Sequence, residues 1–463
     1  MGAPMSALLS CLYPVCFPAP PPLRPSAVMA TVAAASASAA PAPIRWAIVS
    51  CGKISHDFVN GHTHHTQWNG VGTGTTTGNS GDPLASERAE RCELHSECAT
   101  GKGIVCDRQQ CSPPPCSPPP SMPHGCSPCA VCVAAIRHLS DVLIVACAAR
   151  SLDDAQAFAK LFNIPRAYGS YAELVADASV QVCYIGSLHP QHADLSTLCL
   201  EGGKHVLCEK PFAVTARDAE SVVALAHRKG LFVMEAMWSR FVPSIVRARE
   251  ILASGVLGEV KVVQAPFGFR MAPDTPRLWE NKHAGGATLD LGVYPIALAS
   301  MVFSAGGTVE PSRITAAGEL SQDEKIDTQL SITLQYGSGQ MAVLHCSMLA
   351  TLPNEAYIIG TRGWLRLDAH SHWHCTQRLT LHLDDQPVDQ VFDFPEPKRA
   401  DQFEFKFVDS QLMVHECREV NRCIRAGATE SSVHSNREAI AIARIMDEVR
   451  RQVGVVYAED KKQ

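Results

Sequence analysis

Hydrophobic and polar positions follow two different rhythms along this chain. Between residues 135 and 240, short apolar runs alternate with stretches in which apolar residues recur every three or four positions. The runs at 141–149, 181–186, 205–208 and 231–235 read as strands, and 153–162, 191–202 and 215–229 read as helices. The third helix is the clearest, with Ala219, Val222, Val223 and Ala226 at i, i+3, i+4 and i+7. Thr215 can cap its start and Gly230 can end it. Strands alternating with helices predict a parallel sheet covered on both faces.

From Gly258 the period changes to two. Segments 259–268, 329–336, 341–348, 357–367 and 379–383 read as strands, and Leu330, Ile332, Leu334 and Tyr336 alternate with polar neighbours. That alternation suggests an antiparallel sheet with one face buried and the other open to water or a partner, without saying which. The chain ends in helices at 412–425 and 436–451, the second carrying Ile442, Ile445, Met446 and Val449 on one face. The predicted fold class is an α/β Rossmann domain followed by an α+β domain with an open, mostly antiparallel sheet. The first domain comprises residues 45–60 and 135–240. The second, 241–463, brings its C-terminal helices back to the core.

Two segments have neither rhythm. Residues 1–44 are rich in Ala, Pro and Ser, lack Asp and Glu, and carry Arg24 as their single basic side chain. They are expected to be a disordered leader or a transit peptide. Met29 is an alternative start, and the opening Met1-Gly2 with Ser6 loosely fits a myristoylation pattern. The expected address is cytoplasmic, with a plastid or mitochondrion as the alternative if the leader is a transit peptide. Residues 61–134 contain His62, His64, His65, a Gly/Thr tract and a Cys-Ser-Pro-Pro-Pro repeat. So long a structureless stretch is foreign to a compact domain. Joining Asn60 to Ala135 would restore one helix, so the block resembles a retained intron. The rival reading is a zinc-binding insertion on Cys126, Cys129, Cys132 and the histidines, although the spacing matches no pair of Cys-x-x-Cys knuckles.

Composition narrows the function. A length of 463 residues suggests two or three domains, and 46% hydrophobic residues suffice for a large core. A net charge of -6 argues against a nucleic-acid partner. No uninterrupted apolar run of about 18 residues reads as a membrane span. Eight of the 19 cysteines fall between Cys92 and Cys132, and others sit singly in predicted strands, as in a reducing compartment.

Three groups of residues could carry chemistry. The apolar run 45–49 leads into Ser50-Cys51-Gly52-Lys53-Ile54-Ser55, where a dinucleotide fingerprint would sit. Ser50, Gly52 and Ile54 are the candidate contacts, and an ordinary strand–helix turn is the plain alternative. Arg150 ends the second strand. With the foreign block removed it stands about 24 residues after Gly52, near the place of the ribose-gripping residue. A basic side chain there favours a 2′-phosphate, hence NADP. Next, Cys208-Glu209-Lys210-Pro211 puts a lysine at a strand end that lines the ligand crevice of such sheets. Last, Gly285-Gly286 leads to Asp290, Gly292 and Tyr294, with Asp290 and Tyr294 four apart on one helical face. Tyr294 is a usable acid/base if a cation such as Lys210 lowers its pKa from about 10. A structural Lys–Glu pair and a buried structural tyrosine are the plain alternatives.

Together Glu209-Lys210-Pro211, the Gly285–Gly292 segment and Gly360-Thr361-x-Gly363 resemble the glucose–fructose oxidoreductase / inositol dehydrogenase superfamily. Several runs resemble its dimeric dihydrodiol dehydrogenase branch more closely. They include Arg166-Ala167-Tyr168-Gly169, His189-Pro190-Gln191-His192, Val206-Leu207-Cys208-Glu209-Lys210-Pro211 and Met234-Glu235-Ala236-x-Trp238. The resemblance implies an NADP-dependent dehydrogenase that oxidises trans-dihydrodiols or D-xylose. Another sugar or polyol dehydrogenase, or an impaired NADP-binding regulatory protein, is the alternative. It implies Lys210 as catalytic lysine, Tyr294 as acid/base and Asp290 as substrate-site acid. Trp238 and Phe267 become pocket walls, and Arg150, His189, Glu209 and Lys210 join Ser50, Gly52 and Ile54 around the cofactor. The expected partners are a small diol or aldose and a second copy of the chain as a homodimer. No metal, nucleic acid or membrane is expected.

Overall fold

The computed structural model describes residues 42–51, 133, 135–304, 310–369, 372–395 and 409–462. The leader, nearly all of 61–134, and Gly52 and Ile54 lie outside the described residues.

The first layer is a six-stranded sheet. Its strands are β1 (Ile44–Val49), β2 (Val142–Ala148), β3 (Ala167–Tyr168), β4 (Val182–Ile185), β5 (His205–Glu209) and β6 (Val233–Ala236). Their order is β3-β2-β1-β4-β5-β6 and every pair is parallel. Between them run α1 (Leu152–Leu161), α2 (Tyr171–Ala176), α3 (His192–Glu201) and α4 (Ala216–Lys229). Helix α4 begins and ends where its pattern predicts. The Thr215 side chain accepts from the Asp218 amide, and Gly230 closes the helix in the left-handed region at φ 65°. Strand β1 lies between β2 and β4, so the chain leaves it in opposite directions. That reversal opens a crevice at the carboxyl ends of the strands.

After α5 (Pro243–Ala253) come β7 (Val260–Gly268), α6 (Pro276–Trp279), a π-helical turn (Thr288–Gly292) and α7 (Val293–Phe303). Strands β8 (Arg313–Leu320), β9 (Asp327–Gln335), β10 (Met341–Ser347), β11 (Ala356–Gly360), β12 (Gly363–Leu367), β13 (Arg378–Leu383) and β14 (Gln390–Asp393) follow. With β7 they form an eight-stranded sheet, β14-β13-β12-β11-β7-β10-β9-β8. Only β7–β10 is parallel, so the expected open, mostly antiparallel sheet is borne out. Leu330, Ile332, Leu334 and Tyr336 are buried, which settles the orientation of β9. Ser331 faces water with Val343 and Gln264.

Three expectations change. Residues 357–367 are two strands, because Thr361 and Arg362 turn the chain back and Gly360 pairs with Gly363. Strand β8 escaped the pattern because most of its side chains are exposed or half-buried. Residues 281–303 are long and apolar enough to cross a bilayer, which Lys282, His283 and Asp290 disguised in the sequence. Its most apolar 18-residue window is buried in the protein, and all eleven residues of α7 are core residues.

The chain closes with α8 (Val414–Arg425) and α9 (Asn436–Val453). Both return to the first sheet. Trp46 Nε1 on β1 donates to Asn421 Oδ1 of α8 at 3.0 Å. His434, just before α9, pairs with Glu235 of β6 at 2.8 Å. Arg240 pairs with Glu438 of α9 and donates to the Ala297 carbonyl of α7. These buried ion pairs and hydrogen bonds fix the two sheets relative to each other. Removing one partner would strand the other charge in the core.

Candidate active site

The site forms where the carboxyl end of β5 meets the π-turn before α7. Lys210 follows the last residue of β5. Its Nζ donates to the Asp290 carbonyl at 2.9 Å and lies 3.4 Å from Asp290 Oδ1. It also lies 4.9 Å from the centre of the Tyr294 ring. The π-turn carries Asp290 and leads directly into Tyr294, so these two and Lys210 come together as expected. Arg277, the second residue of α6, donates from Nη1 to Asp290 Oδ1 at 2.9 Å. Burial alone would raise the Asp290 carboxyl. Lys210 and Arg277 overcome it and hold the group well below the usual carboxylate range.

Tyr294 overturns one expectation. Its hydroxyl is pushed well above its ordinary value, not lowered. Burial is the main cause, and the negative charge of Glu209 adds to it. The hydrogen bond from Trp238 works the other way but does not prevail. Lys210 cannot supply the expected lowering because its charge is already engaged by Asp290. Trp238 Nε1 donates to the Tyr294 oxygen at 2.9 Å. The tyrosine therefore keeps its own proton free to donate.

Phe267 on β7 packs at 5.4 Å from Tyr294, ring centre to ring centre. Glu209 is buried and accepts from Tyr184 Oη at 2.5 Å. Burial raises its carboxyl despite that bond. His189 lies beyond β4, its Nδ1 3.1 Å from the Ala284 carbonyl. Burial, with His192 beside it, lowers its imidazole to about 3, so it is neutral.

Of the predicted cofactor residues, Ser50, Arg150 and Lys210 lie just beyond the carboxyl ends of β1, β2 and β5. Ser50 caps the end of β1 with φ 73°, in the left-handed region that glycine adopts most easily. Serine holds this conformation at some cost in strain. Arg150 is exposed at the end of β2, and its guanidinium has no hydrogen-bond or ion-pair partner among the described residues. Lys210 just beyond β5 and the unpaired Arg150 at the end of β2 suit a nicotinamide dinucleotide laid across the strand ends. Gly52 and Ile54 lie outside the described residues.

Sequence reasoning missed Arg277 and the His372–His374 stretch. Arg277 lies 13 positions before Asp290, and no motif marks the pair. The ring of His374 packs 4.6 Å from Tyr294, 4.7 Å from Phe267 and 5.1 Å from Trp238. A His-Trp-His run was the one available signal. Among the described residues no group of three His, Cys, Asp or Glu side chains could hold a metal.

Two family models match the chain. The oxidoreductase family model with an NAD-binding Rossmann fold matches residues 130–237, and the GFO/IDH/MocA C-terminal domain matches 245–366. The trans-1,2-dihydrobenzene-1,2-diol dehydrogenase of Mus musculus is 39% identical over 323 residues, covering 70% of this chain and 92% of its own. Its namesake in Danio rerio is 39% identical over 319 residues, covering 69% and 91%. Among solved structures, a 3-ketoreductase from Actinomadura kijaniata in complex with NADP and TDP-benzene superposes with a TM-score of 0.60 at 19% identity. It covers 89% of this chain and 98% of its own. An aldose-aldose oxidoreductase from Caulobacter crescentus complexed with glycerol gives 0.59 at 19% identity, covering 70% and 92%. These two likenesses concern the fold.

Proposed function

The chain belongs to the GFO/IDH/MocA family of oxidoreductases, and on that premise we propose that it oxidises a trans-dihydrodiol or D-xylose with NADP. The observation that carries the reading is the contact of Lys210 with both Asp290 and Tyr294 at the carboxyl end of β5. The cofactor, when bound, accepts a hydride from the carbon that bears the reacting hydroxyl. Arg150 supports NADP over NAD, since an unpaired guanidinium at the end of β2 suits a 2′-phosphate.

Tyr294 sets the direction of proton transfer. With Trp238 donating to its oxygen, the neutral phenol presents its proton to a substrate oxygen. That is the general acid for carbonyl reduction, and the tyrosinate is the base for oxidation. Lys210, held by Asp290, places positive charge where an alkoxide develops. Oxidation should therefore accelerate as pH rises and show no plateau below about 10. Rates on the trans-dihydrodiol and on D-xylose from pH 6 to 10 test this. A profile that levels near neutrality would remove Tyr294 from the role. The ratio of catalytic efficiencies on the two substrates decides between diol and sugar.

We also propose a homodimer joined through the water-facing side of the eight-stranded sheet. That side carries Val343, which is 45% exposed, together with Trp364 stacked on His382 at 5.0 Å. Light scattering at micromolar concentration tests it, and a monomer mass would contradict it.

A further inference from the structure

His374 sits in the short 3₁₀ turn Trp373–Cys375, between β12 and β13. The eight-stranded sheet thus delivers a side chain to a site otherwise built at the end of β5 and on the π-turn. The residue is buried, with only 6% of its surface exposed. Its neighbours are Tyr294, Phe267 and Trp238, the side chains that wall the reacting position. An imidazole among aromatic rings normally finds a partner for its nitrogens, because an unpaired buried polar atom forfeits its hydration. Here Nδ1 is sealed from solvent and has no hydrogen-bond partner among the described residues. Burial, followed by His372 and Lys210, holds the imidazole well below its ordinary value. The ring is neutral at physiological pH, with one donor and one acceptor nitrogen.

We propose that His374 is a specificity-determining residue that hydrogen-bonds the second, non-reacting hydroxyl of a vicinal diol. This rests on the dehydrogenase reading above, in which Tyr294 and Lys210 engage the hydroxyl that is oxidised. A neutral imidazole can donate to or accept from a hydroxyl by choice of tautomer, so it suits either partner geometry. A buried polar group set among aromatic walls discriminates strongly. A ligand with the matching hydroxyl satisfies the nitrogen, and a ligand without it leaves the nitrogen unpaired. The occupant is therefore a small polyhydroxylated ring or chain with adjacent hydroxyls, not a simple alcohol.

The test uses the full chain with NADPH bound, which cannot accept hydride, so binding is read without turnover. trans-Cyclohexane-1,2-diol and cyclohexanol are titrated by calorimetry into wild type, His374→Phe and His374→Asn. Phenylalanine keeps the ring packing, and asparagine keeps a hydrogen-bonding atom near the Nδ1 position. The expected result is a loss of roughly tenfold in diol affinity for His374→Phe, with cyclohexanol changed by less than about twofold. His374→Asn should recover part of the diol affinity. Equal losses for both ligands would assign His374 a purely structural role, and no loss for either would place the second hydroxyl elsewhere. Both outcomes overturn the proposal. Failure of the dehydrogenase reading looks different. Wild type would then form no NADPH from NADP and any diol or sugar, whatever the binding data show.

Discussion

The two sheets draw on the same apolar residues and use them differently. In the six-stranded sheet all four residues of β4 and all four of β6 are buried, because helices cover both faces. In the eight-stranded sheet β9 buries every second side chain from Thr328 onward, and its other face meets water. A sheet covered on both faces has only its ends free. Chemistry therefore gathers at its carboxyl edge, where Ser50, Arg150 and Lys210 stand. A sheet covered on one face keeps a broad surface for a partner, and it reaches the active site only through the loops and turns at its margin. Phe267, at the end of β7, and His374 are those contributions.

The sharpest way to break this division of labour is to attack the carboxyl edge. Lys210→Met and Tyr294→Phe should each lower kcat about a thousandfold. Val343→Asp, on the open face of the other sheet, should leave turnover per subunit within about twofold. Steady-state rates on a trans-dihydrodiol read both. If the Val343 variant loses as much as the Lys210 variant, the two sheets are not separable in function. Arg150→Ala sharpens the same side. Losing a guanidinium from a phosphate should weaken NADP by roughly 10- to 100-fold while leaving NAD within about twofold. Fluorescence titration with both cofactors measures this, and parallel losses would place Arg150 outside the 2′-phosphate site.

A smaller effect is expected on the open face. Val343→Asp puts a charge beside Gln264 and Thr333 in a surface we assign to a second copy. Dimer dissociation should become easier by about tenfold. Sedimentation of wild type and variant over a range of concentrations reads the constant, and an unchanged constant would move the interface elsewhere.

The same contrast explains what the sequence discloses. Helix-covered strands appear as plain apolar runs, and 215–229 even carries its own cap and stop in Thr215 and Gly230. Ser50 and Lys210 are legible because a parallel sheet puts ligand contacts at strand ends. The rest depends on contacts between distant positions. Lys210 meets Asp290 across 80 residues, and nothing local announces Arg277. The hairpin at Thr361 and Arg362 is hidden because both residues are unremarkable in a strand, while the turn is set by pairing with β7 and β13. The direction of the Tyr294 shift is hidden for a related reason. Sequence shows that a cation is near, but not that burial outweighs it and that Asp290 has already engaged that cation.

The smallest effect concerns a carboxylate that ties the second sheet to the active-site turn. Asp327, the first residue of β9, accepts from both the amide and the hydroxyl of Thr288 at 2.6 Å. Thr288 opens the π-turn that positions Asp290. Burial raises the Asp327 carboxyl to about 6, although both Thr288 hydrogen bonds oppose the shift. A carboxyl raised in the folded state binds a proton more tightly there than in the unfolded chain. Its contribution to stability is therefore full below about pH 4 and is lost as pH rises through about 6. Asp327→Asn has no such titration and keeps an oxygen that can accept from Thr288. Between pH 4 and 6 the wild type should lose stability relative to the Asn variant, on the order of 1–2 kcal/mol, because the unfolded carboxyl ionises over that range while the folded one keeps its proton. Denaturant melts of both proteins at half-unit intervals measure the difference in slope, not the absolute stability, since the amide nitrogen of Asn brings its own cost. Parallel slopes would mean that Asp327 titrates alike in the folded and unfolded chain, and the π-turn would then be anchored by a charge at neutral pH and not by a carboxyl that holds its proton.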